Sequence, residues 1–242
     1  MKHPEEWTLT LLIGRDALHY RLEHDTLEAV EGHAPIAVDG ERLAAVENAV
    51  YDTPMLLDDY RATKVIIDTE RFALTPAELP EALRKKILRT TFSGVRGDVL
   101  TSDTAWGVGM VFEIERGLRP FLDRTFIMPP VTPLLQYLID FLHNHDEVTL
   151  LAHCPDGERL NLAVQREGTL QLANTYACPG DDDALFYTLQ AAKLTGVDAL
   201  SDRVMLVGDE EACARFKARL DEYFKDAVLV TDAPFPLKLE AS

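Results

Sequence analysis

Three places in the chain gather side chains that could do chemistry. His143 and His145 are both able to hold a metal, yet two residues apart on a helix they point to different faces, so no shared ion and no metal site is expected there. His153 and Cys154 set an imidazole beside a thiol, the makings of a nucleophilic dyad. Neighbouring side chains of a strand point to opposite faces, which keeps them from sharing a proton, so Cys154 reads as a core residue. Asp181, Asp182 and Asp183 could hold a cation. At the start of a helix they serve instead the exposed backbone N–H groups of its first turn. Cys154, Cys178 and Cys213 are odd in number, far apart and without a Cys-x-x-Cys spacing, so reduced thiols are expected rather than a disulfide. No catalytic residue is assigned, and no reaction can be read from these side chains.

Composition narrows the partners. With 41 acidic against 24 basic side chains in 242 residues, the net charge of -17 repels a phosphate backbone and excludes nucleic acid. Acids follow the first residues where a secretion signal would have bases and an apolar run. No stretch reaches the ~20 consecutive apolar residues that a membrane helix needs. A cytoplasmic protein without membrane insertion is expected, long enough for one large domain or two ordinary ones.

The elements that must position these residues follow from periodicity. Thr8 to Ile13 is a strand, Gly14-Arg15-Asp16 a turn and Ala17 to Leu22 a return strand. A third strand over Thr26 to His33, the connector Pro35 to Asp39, a helix over Gly40 to Val50 and a buried strand over Lys64 to Asp68 come next. Thr75 as cap, Pro76 at the first helical position and Glu78 at the third predict a helix to Leu88. Val99 to Ile114 is a strand region and Glu115 to Leu122 a short helix. Past Pro129-Pro130, an apolar helix from Thr132 to His145 is expected to bridge two halves.

The pattern then returns: strands over Val148 to His153, Arg159 to Val164 and Thr169 to Tyr176, a helix opened by the three aspartates, a strand over Arg203 to Val207, and a helix over Glu210 to Phe224. Thr10-Leu11-Leu12 recurs as Thr149-Leu150-Leu151 and Lys64-Val65 as Arg203-Val204, both 139 positions later. Thr26-Leu27-Glu28 is matched to Thr169-Leu170-Gln171, 143 positions later. The expectation is an internal duplication, with halves over 1–125 and 146–242 and a bridging segment over 126–145.

A three-stranded meander followed by helix, strand and helix, twice in one chain, is the order of the actin-like ATPase (ribonuclease H-like) α/β fold, with mixed sheets. The chain also resembles a bacterial family of uncharacterised function, domain of unknown function 3822, which is similar to actin-like ATPases. The resemblance rests on the early strand with Tyr20, on Thr53-Pro54-Met55-Leu56-Leu57, on Phe72-Ala73-Leu74-Thr75-Pro76, and on Leu172-Ala173-Asn174-Thr175-Tyr176 with Asp183 to Leu189. It covers nearly the whole chain, and its motifs are hydrophobic, so it implies a fold and no chemistry.

What that superfold implies for a nucleotide can be tested residue by residue. Its ATPases hold phosphates on the two hairpins that open the halves, each with an Asp two residues before a Gly. Here Leu12 stands at the Asp position of the first hairpin, Gly14 is kept, and Arg15-Asp16 stand where a hydroxyl belongs. The second hairpin has Ala152-His153-Cys154, then Asp156 and Gly157 in its tip. The adenosine strand should end in two glycines, and Gly208 is followed by Asp209. Gly14, Arg15, Asp16, Asp156, Gly157, Gly208 and Asp209 are therefore the candidate ligand residues of an interdomain cleft. The expected function is that of a catalytically silent protein acting through contact with an unidentified protein partner, with no cofactor. The alternative is an ATP-binding hinge protein or small-molecule kinase with degenerate phosphate motifs, using ATP with Mg²⁺. Trp7, and Tyr51 with Met55, Leu56 and Leu57, are either partner anchors or edge-of-core packing.

Overall fold

In the computed structural model of the chain, residues 2–38, 40–231 and 233–239 are described. Asp39, which closes the predicted connector, and residues 240–242 of the second expected half lie outside them. The elements run β1 (Thr8–Ile13), β2 (Ala17–Glu23), β3 (Val30–Pro35), α1 (Arg42–Tyr51), a 3-10 turn (Pro54–Leu57), β4 (Ala62–Ile67), β5 (Phe72–Pro76), α2 (Glu81–Thr91), β6 (Asp98–Asp103), β7 (Val108–Ile114), α3 (Leu118–Thr125) and β8 (Val131–Pro133). After them come α4 (Leu134–His143), β9 (Leu150–Cys154), β10 (Arg159–Arg166), β11 (Thr169–Ala177), α5 (Asp181–Thr195), β12 (Arg203–Gly208), α6 (Glu210–Leu220) and β13 (Asp226–Leu229). Two compact units result: Met1–Asp103 with Gly107–Leu134, and Thr104–Trp106 with Leu135–Ser242.

Each unit has a five-stranded mixed sheet, and the two sheets repeat one order. It is β3-β2-β1-β4-β8 in the first and β11-β10-β9-β12-β13 in the second, the first three strands antiparallel and the last three parallel. The central strands are apolar because both of their faces are covered: Leu9 and Leu11 are fully buried on one face of β1, and Thr10 and Leu12 nearly so on the other. Each fully buried Leu contributes roughly 2 kcal/mol. The 139-residue offset reappears as pairing, since Leu11 lies beside Val65 and Leu150 beside Val204. The third match does not hold. Thr26 and Leu27 form the turn after β2, where the His24 ring nitrogen Nδ1 accepts their backbone N–H groups at 3.1 and 3.2 Å, and β3 starts only at Val30.

Two further predictions are corrected, and the strand region Val99 to Ile114 is resolved into two strands. Thr75 and Pro76 end strand β5 instead of opening a helix, because Leu74 and Thr75 pair with Met110 and Gly109 of β7. Helix α2 starts after Pro80. The region Val99 to Ile114 is the hairpin β6–β7, which with β5 makes a separate three-stranded sheet covered by α2. Val131–Pro133 is the short fifth strand of the first sheet, placed beside β4, so α4 begins at Leu134 and not at Thr132.

The small sheet is tied to α2 by Arg84, whose side chain is only 8 % exposed. Both terminal nitrogens donate to Asp103 Oδ1 at 2.7 Å, and the guanidinium also reaches the carbonyls of Leu79, Ala77 and Ser102. Gly109 makes the room: a Cβ there would lie 2.5 Å from Arg84 Nη1. Arg84→Met keeps the bulk but leaves those part-buried carbonyls without this donor. It is expected to cost about 1 to 3 kcal/mol in urea denaturation of the purified protein, because the Asp103 carboxylate is 56 % exposed and solvent replaces part of what it loses.

Candidate functional site

In the first unit, the turn Gly14-Arg15-Asp16 is closed by Gly14 N donating to Ala17 O at 2.9 Å, and Asp16 O accepts from Ile36 N at 2.7 Å. Beneath it lies Arg42, the first residue of α1, whose guanidinium donates to the carbonyls of Arg15 (2.5 Å) and Gly14. Burial lowers the Arg42 pKa, against the pull of the Glu115, Asp16 and Asp68 carboxylates, and a guanidinium stays charged through such a shift. The turn thus spends two of its carbonyls on an internal cation. Leu12, at the position where an Asp would hold Mg²⁺, is 4 % exposed.

In the second unit, Asp156 folds its own turn: Oδ1 accepts from Glu158 N at 3.0 Å and Oδ2 accepts from Arg159 Nε at 2.7 Å, with Gly157 between them. Gly208 ends β12 with φ 129, and a Cβ there would lie 2.1 Å from Cys154 O, so only glycine lets the strand end this close to β9. Asp209 caps α6, its Oδ1 accepting from Ala212 N at 2.8 Å, while its own N–H donates to Cys154 O at 2.8 Å. The structure therefore brings Gly208 and Asp209 to the end of β9, beside the second hairpin.

His153 and Cys154 do point apart. Asn161 fixes the imidazole, for its Oδ1 accepts from Thr175 Oγ1 at 2.7 Å, which turns its amide nitrogen toward His153 Nδ1 at 3.0 Å. Nδ1 is then the acceptor and Nε2 carries the proton. Complete burial pushes the His153 pKa down to about 4, opposed by a hydrogen bond to the Leu237 backbone. Cys154 is held well above the ordinary thiol range by its hydrogen bond with Cys213 and by burial, and burial next to Asp183 pushes Cys178 up to about 11. All three cysteines, distant in sequence, meet in one apolar core as free thiols. Asp181, Asp182 and Asp183 form the first turn of α5 behind the cap residue Gly180, with Asp182 paired to Arg219 at 2.8 Å and Asp181 to Arg215 at 3.5 Å. His143 packs on Trp106 at 4.6 Å between ring centres, whereas His145 turns back to Phe141, so the two rings face different neighbours.

The proposed anchors divide. Trp7 is 6 % exposed, its ring 5.0 Å from that of His24, and Leu56 is fully buried, so neither is offered to a partner. Both seal the edge of the first unit's core, because the 3-10 turn folds Leu56 inward. Tyr51 and Leu57 remain exposed, at 53 and 43 %, and Met55 is half-buried.

Sequence reasoning missed a groove of about 770 Å³ in the first unit. The ends of β1 and β4 line it with Ile13, Ile67, Asp68 and Thr69, and the small sheet with Gly97, Glu113 and Glu115. Arg42, Arg71, Arg96 and Arg116 also face it. Glu113 is held by Arg71 Nη1 at 2.9 Å and by the backbone N–H groups of Arg96 and Gly97 at 2.7 and 2.6 Å. Burial raises its pKa, but these donors outweigh burial and lower it overall. No local signal announces the groove, since its arginines come from four separate segments.

Over residues 1–227 the chain matches the family described as protein of unknown function, DUF3822. It belongs to that family. Among solved structures, this DUF3822 protein is similar to a Bacteroides thetaiotaomicron protein with actin-like ATPase fold and unknown function, at TM-score 0.84 and 16% identity over 95% of this chain and 93% of the other. A chain of the PilM-PilN type IV pilus biogenesis complex matches at TM-score 0.53 and 10% identity, over 94% and 89%. None of the curated proteins compared with it matches. The repeated sheet order and these likenesses give the DUF3822 chain the actin-like ATPase fold. Among the described residues no helix is long and apolar enough to cross a membrane.

His153 makes a measurable difference to acid stability. Its folded pKa of about 4 lies below the ordinary 6.5, so between those values the unfolded chain binds more protons. Stability from this group is complete above pH 6.5 and falls as pH drops towards 4, by on the order of 2 to 3 kcal/mol. In denaturant titrations across this window, His153→Gln is expected to show a correspondingly smaller loss with falling pH.

Proposed function

We propose that this protein is a catalytically silent member of the actin-like fold that works through contact with a protein partner. The observation that carries this reading is that the positions of the fold's phosphate chemistry are taken up with internal structure. Leu12 and Cys154 are buried at 4 % and supply no carboxylate to Mg²⁺, which takes oxygen ligands. The Gly14 and Arg15 carbonyls hold Arg42, and the Asp209 carboxylate caps α6. The PilM-PilN complex is a case in which a chain of this fold is found with a protein partner. On this chain the exposed pair Tyr51 and Leu57, at the end of α1 and on the turn that follows, is the surface proposed to meet a partner.

The second reading, ATP binding with unorthodox phosphate contacts, is favoured by the glycines kept at 14 and 208. The two are separated by a thermal-shift titration with ATP and Mg²⁺. No shift is expected, whereas a nucleotide at ~100 times its dissociation constant would stabilise the fold by about 2.7 kcal/mol and establish the second reading.

The contact surface has its own test. A Tyr51→Ala, Leu57→Ala double variant is expected to melt within a few degrees of wild type, because both side chains are exposed, and to lose the proteins that wild type retains specifically from the native cell extract. Retention of every one of them by the folded variant would remove this surface from consideration.

A further inference from the structure

The groove of the first unit points to a ligand that the fold's phosphate motifs do not account for. Four guanidinium groups line it in a chain of net charge -17, so the positive charge is gathered against the overall trend. The carboxylates that face the same space are Asp68, Glu113 and Glu115. Glu113 is bound by Arg71 and by two backbone N–H groups, and the charges of Glu115 and Asp68 act on Arg42. Arg96 and Arg116 are both exposed and have no ion pair or side-chain hydrogen bond among the described residues. The cradle of Glu113 shows what this wall can do: a guanidinium and two backbone N–H groups already hold one carboxylate at 2.6 to 2.9 Å. Arginine presents a planar fork of donors that matches phosphate and carboxylate oxygens.

We infer that this groove binds a small molecule with two or more anionic groups, phosphate or carboxylate, held by Arg96 and Arg116. Its volume of about 770 Å³ lies in the range of small-molecule sites. The site lies within one unit and does not depend on the partner-contact reading.

The test is calorimetric titration of the full chain, free of divalent metal and at fixed ionic strength, with pyrophosphate in one arm and citrate in the other. Saturable one-to-one binding in either arm is expected, and the arm that binds identifies phosphate or carboxylate as the recognised group. Arg96→Gln and Arg116→Gln are each expected to weaken it by about tenfold or more, the worth of one charge-assisted contact. Arg89→Gln, an equal charge change on the exposed face of α2, should leave it unchanged. Both groove arginines are exposed, so thermal melts of the variants should match wild type. Absence of saturable binding in both arms overturns the inference, as does equal weakening by Arg89→Gln. Binding of a tetraglutamate peptide with neither small anion bound also overturns it, in favour of an acidic protein segment.

Discussion

The parallel pairs β1–β4 and β9–β12 at the centres of the two sheets constrain everything around them. A strand covered on both faces carries apolar side chains at nearly every position, because an unpaired polar group there costs several times what a hydrogen bond returns. Leu11 beside Val65 and Leu150 beside Val204 set one register twice. The meander strands can then be added only on one side and the short parallel strands β8 and β13 only on the other.

The same constraint bears on chemistry. A nucleotide site in this fold would draw its charged and glycine residues from the ends of these strands, yet here the positions of the expected carboxylates hold Leu12 and Cys154. Leu12 is packed, and Cys154 is buried, its own thiol held well above the ordinary range by its hydrogen bond with Cys213 and by burial. Gly208 is needed for the close approach of β12 to the Cys154 carbonyl, so its presence has a packing reason that requires no ligand. Arg42 is a comparable case, a cation whose partners are backbone carbonyls of a turn. The groove differs: the guanidinium groups of Arg96 and Arg116 make no ion pair or hydrogen bond among the described residues, which leaves them available to an external ligand.

The small sheet β5-β7-β6 shows how local chemistry can mislead. Thr75, Pro76 and Glu78 have the residue types of a helix start, and no local rule separates that reading from a strand end. Pairing with β7 decides it, since Thr75 donates to the Gly109 carbonyl and is itself buried. Arg84 is equally opaque in sequence, one charged residue in a charged helix, although it is the cation that closes this sheet onto α2.

By itself the sequence determined the central strands, the helices α5 and α6, the repeated order and the absence of a carboxylate at positions 12 and 154. Each of these is written in neighbouring residues, as a period, a cap or a residue type. Only the tertiary structure decided that Trp7 and Leu56 face inward, that β8 and β13 exist, that three distant cysteines share one core, and that four scattered arginines line one groove. Strands of three or four residues carry too few positions to show a period, and the meeting of distant side chains depends on which elements pack together. That choice is made by the burial of whole faces, and no short stretch of sequence records it.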